Sequence, residues 1–198
     1  MNEIETQANF LSAEECDWFI RFFEGNRTRV EREGEGPMAY RVLDLYEHHR
    51  SYEVKYLLAQ LTRFCPIPNS FVEYFQVARR TKDNELPEHI DFDDTVYSSV
   101  VYLNDDFGEG GTFIGSGSEQ TVIQPERGKI LGFPGAKVSH GVLPVTKGVR
   151  YVIPVWWKTM EWVPEDVAAA LKRRPQTMLR DPMFQGEGHR NPDFPYVD

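Results

Sequence analysis

The sequence predicts a mainly β fold with flanking helices, on three observations. Up to Phe64 the apolar residues recur at helical spacing in two separate runs; from Phe71 onward they fall in short β-type runs divided by Gly, Pro, Asn and Asp. The chain has 198 residues and 13% aromatic content, enough for one domain with a sizeable core. Many short strands at this spacing predict an antiparallel barrel or sandwich.

The elements follow in order. The segment NFLSAEECDWFIRFFEGN opens with Ser12 and, three places on, Glu15, the pairing of a capping box. Trp18, Phe19, Phe22 and Phe23 then recur at helical spacing, and Gly25 marks the helix end. A Gly- and Glu-rich loop, EREGEGPM, leads to a strand around Tyr40 to Tyr46. A second helix carries Val54, Leu57, Leu58, Leu61 and Phe64 on one face and stops at Pro66 and Pro68. The β region comprises FVEYFQVAR, HIDF, TVYSSVVYLN, GTFIG, QTVIQ, GKILGF and GVRYVIPVWWK. A third helix is expected over about 164–174, and a Pro-, Gly- and charge-rich arm over 176–198. Residues 1–175 thus read as one domain, with helices within 12–64 and a β core over about 71–158.

Composition narrows the function. The net charge of -9 argues against a nucleic-acid partner, which needs clustered Lys and Arg. Arg79-Arg80 and Lys172-Arg173-Arg174 read as a solvated strand end and a helix C-terminus. No apolar run approaches the roughly 20 residues of a membrane span, and the polar start MNEIETQ is unlike a signal peptide. Two cysteines, Cys16 and Cys65, are too few for a disulfide framework, and a cytoplasmic location is expected. Oligomeric state leaves no mark in the sequence.

Four residues stand out chemically: His89 and Asp91 in HIDFDD, then His140 and Arg150 in SHGVLPVTKGVRYVIPVWW. Two imidazoles and one carboxylate can hold a non-haem Fe(II) on one face, with positions left open. On a strand, residues two apart share a face, so His89 and Asp91 can converge on one ion. His140, between Gly135 and Gly141 and just after an apolar strand, can be delivered by a turn into a barrel mouth. Asp93 and Asp94 read as solvated neighbours. Counting by two, Arg150, Val152, Pro154 and Trp156 share one face of their strand, and Tyr151, Ile153, Val155 and Trp157 the other. A guanidinium within such an apolar strand is costly to bury unless a carboxylate meets it. That carboxylate is either an Asp or Glu of the chain or an acidic ligand held by the guanidinium fork.

The succession HID, YLNDDFGEGGTF, PERGKILGF and HGVLPVTKGVRYVIPVWW, with NFLSAEECDWFI before it, resembles the prolyl 4-hydroxylase type of Fe(II)- and 2-oxoglutarate-dependent dioxygenases. The resemblance implies a double-stranded β-helix, the jelly roll of cupin-like proteins. It implies Fe(II) held by His89, Asp91 and His140, and the distal carboxylate of 2-oxoglutarate on Arg150. It places Tyr102 where a hydroxyl supports that carboxylate, Trp156 beside the co-substrate, and Gly110, Gly111, Thr112 and Phe113 in the family's GGxTxF turn. The implied reaction consumes O2 and 2-oxoglutarate, releases succinate and CO2, and hydroxylates a C–H bond, with ascorbate as a candidate auxiliary reductant. Asp91 fits hydroxylation, since related halogenases leave the carboxylate position open.

The sequence also departs from the family. Relatives carry tyrosines nine and three places before the first ligand histidine, where this chain has Arg80 and Leu86. The segment ARRTKDNELPEH reads as a charged loop instead. A peptide or protein side chain is the expected substrate, with a free amino acid or other small metabolite as the alternative. Two rival readings are a non-catalytic jelly roll binding metal structurally and a nucleic-acid demethylase. An acid anchor at Arg150 is superfluous to the first, and the second lacks its Asn-x-Asn-x-Tyr signature.

Overall fold

The computed structural model describes residues 4–159. Thirteen strands and two α-helices are found there: β1 Glu5–Gln7, α1 Ala13–Gly25, β2 Glu31–Glu33, β3 Tyr40–Asp44, α2 Tyr52–Phe64, β4 Ser70–Thr81, β5 Leu86–His89 and β6 Tyr97–Tyr102. They continue with β7 Gly108–Glu109, β8 Thr112–Ile114, β9 Thr121–Ile123, β10 Ile130–Phe133, β11 His140–Val142, β12 Val145–Lys147 and β13 Val149–Thr159. The helix expected at 164–174 and the arm at 176–198 lie outside the described residues.

A seven-stranded antiparallel sheet, ordered β1-β10-β6-β13-β4-β3-β2, is joined by a four-stranded one, β5-β11-β8-β9, and by the short pair β12-β7. Together they form a double-stranded β-helix. The long β4–β13 pair runs from Val149 opposite Thr81 to Thr159 opposite Ser70 and forms the backbone of the larger sheet.

The helices form where the sequence signals them. Ser12 caps α1: its Oγ accepts from Glu15 N–H (3.2 Å), and Glu15 Oε2 accepts from Ser12 N–H (2.7 Å). Asn26, one place beyond Gly25, closes the other end through its backbone and side-chain amides to Phe22 O. Cys16, Phe19, Phe22 and Phe23 of α1 and Val54, Leu57 and Leu61 of α2 are buried together with Phe75, Val77, Val101, Ile153, Val155 and Trp157 of the larger sheet. This core therefore lies on one face of that sheet, and the opposite face is left for the site.

Four expectations are corrected. The strand before Asp91 is LPEH, not HIDF: β5 ends at His89, and the segment expected as a charged loop contains the end of β4 and all of β5. Pro87, which lacks an N–H, and the charges around it are tolerated because β5 is an edge strand of its sheet. His140 sits not in a turn but at the start of β11, flanked by Ile114 of β8 and His89 of β5. EREGEGPM supplies strand β2 and a 3-10 turn, Gly36–Met38, in place of a loop alone. Arg80, read as solvated, is 4% exposed.

Candidate active site

Strand pairing assembles the triad. His89 and His140 are opposed across β5 and β11, with ring centroids 4.3 Å apart. Asp91, two residues past β5, is pinned by its N–H to Gly135 O at 3.0 Å. The carboxylate then meets both imidazoles: His89 Nε2 lies 3.8 Å from Oδ1 and His140 Nε2 3.7 Å from Oδ2. One donor atom from each of the three residues falls within 4.8 Å of the others. Ile90 and Phe92, between and beyond these positions, point to solvent.

The donor set fits Fe(II). Each imidazole has its Nδ1 2.9 Å from a carbonyl, Pro87 O for His89 and Val138 O for His140. A carbonyl only accepts, so Nδ1 carries the hydrogen and Nε2 presents its lone pair to the centre. Burial pushes His140 below the ordinary imidazole pKa, which keeps it in the neutral, ligating form. Ser98 and Trp156, opposed across β6 and β13, fix the carboxylate. Ser98 Oγ donates to Asp91 Oδ2 (2.5 Å), and Trp156 Nε1 donates to Oδ1 (3.2 Å). A methyl on Gly135 would lie 2.3 Å from Asp91 Oδ2 and 2.1 Å from Ser98 Oγ, so this approach requires glycine.

Arg150 stands at the other end of the same cavity, an open space of about 590 Å³ with solvent at its mouth included. It is 1% exposed, and no Asp or Glu of the described residues forms an ion pair with it. Its Nε is buried without a partner, and Nη2 donates to Thr112 Oγ1 at 3.3 Å. Burial lowers its pKa, with Tyr102 opposing the shift. A buried fork with unspent N–H groups suits a carboxylate, so 2-oxoglutarate fits this end as iron fits the other.

The structure adds contacts to Tyr102 and Trp156 beyond those expected. Tyr102 is buried behind Arg150, its ring centroid 5.5 Å from the guanidinium carbon. Its hydroxyl donates to Thr112 Oγ1 (2.8 Å) and accepts from Thr112 N–H (3.1 Å). The hydroxyl lining the cavity beside Arg150 is therefore that of Thr112. Trp156 lines the cavity and holds Asp91. The sequence reading missed Ser98 and Gly135, because their partners come from other strands; the face shared by Ser98, Val100 and Tyr102 was the available signal.

The profile of the 2OG-Fe(II) oxygenase superfamily matches residues 75–158, which include all four of His89, Asp91, His140 and Arg150. Over 66 residues the chain is 41% identical to prolyl 3-hydroxylase 1 of Gallus gallus, and over 66 residues 42% identical to prolyl 3-hydroxylase 2 of Homo sapiens. Each match covers 31% of this chain and 9% of the relative's length. Among solved structures, a viral collagen prolyl hydroxylase from Paramecium Bursaria Chlorella virus-1 aligns with a TM-score of 0.62 and 22% identity, over 80% of this chain and 97% of that one. A Pseudomonas putida prolyl-4-hydroxylase aligns at 0.66 and 17%, over 79% and 92%. A Trichoplax adhaerens prolyl hydroxylase, solved with a peptide fragment of hypoxia inducible factor, aligns at 0.66 and 16%, over 86% and 87%. At these identities the likeness concerns the fold. The family match over residues 75–158 and the triad make this β core similar to that of 2OG-Fe(II) oxygenases.

Proposed function

We propose that the protein hydroxylates a C–H bond of a peptide or protein side chain, with prolyl side chains the first to test. The observation that carries this reading is the pairing, in one cavity, of a His-Asp-His triad with a buried arginine that no carboxylate of the described residues pairs with. A structural metal site needs no acid anchor, which favours catalysis over a merely metal-binding jelly roll.

Iron and 2-oxoglutarate, once bound, supply the oxidising chemistry: O2 gives one oxygen atom to the substrate and the other to succinate, with CO2 released. The chain's own residues set the geometry. His89, Asp91 and His140 would hold the iron from one side, and Ser98 and Trp156 keep both Asp91 oxygens in place. Arg150, with Thr112 beside it, orients the acid. Leu86, Val100, Phe133, Val152 and Pro154 line the walls and keep water from the reacting bond.

The peptide substrate is supported by the prolyl 3-hydroxylase relatives and by the peptide complex of the Trichoplax neighbour. The free thiols Cys16 and Cys65 support a reducing compartment such as the cytoplasm. Incubation with Fe(II), 2-oxoglutarate and proline-containing peptides should give succinate and a product heavier by one oxygen atom. The His140→Ala variant should give neither while staying folded. Unchanged succinate formation in that variant would sink the metal assignment. Product only from free amino acids would move the substrate to the small-molecule class.

A further inference from the structure

Arg150 is not the only guanidinium buried in the cavity. Arg80 of β4 is its direct partner across the β4–β13 pair, so the two Cα atoms are about 5 Å apart, and both side chains line the cavity. Arg80 is 4% exposed and Arg150 1%. No Asp or Glu of the described residues lies within ion-pair distance of either, and the carboxylate that acts on Arg80, Glu33, does so only through a weaker coulombic pull than the push of Arg150. Each instead packs near a tyrosine ring: Arg80 lies 4.2 Å from the Tyr40 centroid, and Arg150 5.5 Å from that of Tyr102. The Tyr40 hydroxyl bonds Glu33, and the Tyr102 hydroxyl bonds Thr112 and also supports Arg150. Arg80 spends one nitrogen, Nη1, on the carbonyls of Glu85 (3.1 Å) and Met38 (3.5 Å). Its Nε and Nη2 hydrogens go to no acceptor of the described residues.

Two like charges side by side in a buried wall are costly unless an anion joins them. Their repulsion is visible in Arg80, whose pKa burial and then Arg150 push down to about 10. A carboxylate has two oxygens with about four lone-pair directions, enough for two forks at once. We propose that Arg80 is a second anchor for the distal carboxylate of 2-oxoglutarate, which is gripped between two guanidinia instead of resting on Arg150 alone. This rests on the oxygenase reading above and adds a binding residue to it. The pocket then selects a dianionic 2-oxo acid over one whose far end is neutral.

The test is calorimetric binding of two ligands to the metal-loaded protein without O2: 2-oxoglutarate, and 2-oxopentanoate, in which a methyl replaces the distal carboxylate. Arg80→Gln keeps a donor for the Glu85 and Met38 carbonyls and removes the charge. It should weaken 2-oxoglutarate roughly tenfold to a hundredfold, the range for a hydrogen bond to a charged group, and leave 2-oxopentanoate within about twofold. Equal weakening of both ligands would mean that Arg80 only ties the Met38 and Glu85 segments together, and would overturn the proposal. So would unchanged binding of 2-oxoglutarate. Failure of the unaltered protein to bind 2-oxoglutarate would instead overturn the oxygenase reading itself. Should Arg80→Gln not fold, Arg80→Lys serves: it keeps the charge and loses the fork, and it should still weaken 2-oxoglutarate several-fold relative to 2-oxopentanoate. No selective loss in that variant would likewise overturn the proposal.

Discussion

The two faces of β13 do opposite work. Tyr151, Ile153, Val155 and Trp157 lie in the core shared with α1 and α2, and all are buried. Arg150, Val152, Pro154 and Trp156 line the cavity on the other side. One period-2 pattern thus puts the burial that stabilises the sheet and the polar groups that serve the site on the same eleven residues. The outward face supplies enough apolar burial for the inward face to hold a guanidinium without a carboxylate of the described residues beside it.

The widest separation of the two faces should come from Trp157→Ala. Trp157 is 1% exposed against the helical core, and its Nε1 donates to Ser99 Oγ at 3.3 Å. Truncation should cost about 3–5 kcal/mol in urea unfolding, while the fraction that stays folded binds metal and 2-oxoglutarate normally. A site lost along with stability would show that the faces are coupled. On the inward side, Gly135→Ala should have the largest effect, because its methyl would collide with Asp91 Oδ2 and Ser98 Oγ at once. Metal affinity should fall by about a hundredfold, measured by competition with a chelator, with a much smaller change in unfolding free energy.

Arg150→Met sharpens the contrast from the other direction. Removing a buried charge that no carboxylate of the described residues balances should leave stability unchanged or raise it, as exchanges of buried ions for apolar side chains often do. Affinity for 2-oxoglutarate should fall by roughly tenfold to a hundredfold in calorimetry. Clear destabilisation would mean that the Thr112 contact, at 3.3 Å from Nη2, contributes more to the fold than to the ligand.

What could be read from sequence follows the same division. Parity along GVRYVIPVWW sorts the faces of β13 correctly, since alternation is a local property of one strand. The two described helices are legible from their spacing, and α1 also from its capping box, while His89, Asp91, His140 and Arg150 stand out by type and order. Residues whose role depends on the meeting of distant strands were not. Ser98 and Gly135 have no local signature, although their partner Asp91 was in view. Arg80 looked like a solvated strand end because burial of a charge is decided by what lies opposite, here Arg150, and by Tyr40 beside it. The shift of the strand from HIDF to LPEH has a similar origin. An edge strand needs only one neighbour, so Pro87 and Glu88 do not exclude it.

The smallest predicted effects fall on adjacent serines of β6. Ser98 and Ser99 are both buried, but they point to opposite faces: Ser98 Oγ donates to Asp91 Oδ2, and Ser99 Oγ accepts from Trp157 Nε1. Ser98→Ala should lower metal affinity about tenfold, the usual scale for losing a group that orients a ligand, and move stability little. Ser99→Ala should do the reverse, costing about 1 kcal/mol for the lost hydrogen bond while metal affinity holds. Both are read on the same two instruments, chelator competition and urea unfolding, so each variant is the other's control. If the two serines moved both quantities alike, β6 would act as one rigid unit, and the independence of the two faces would fail at the strand that sits between β10 and β13.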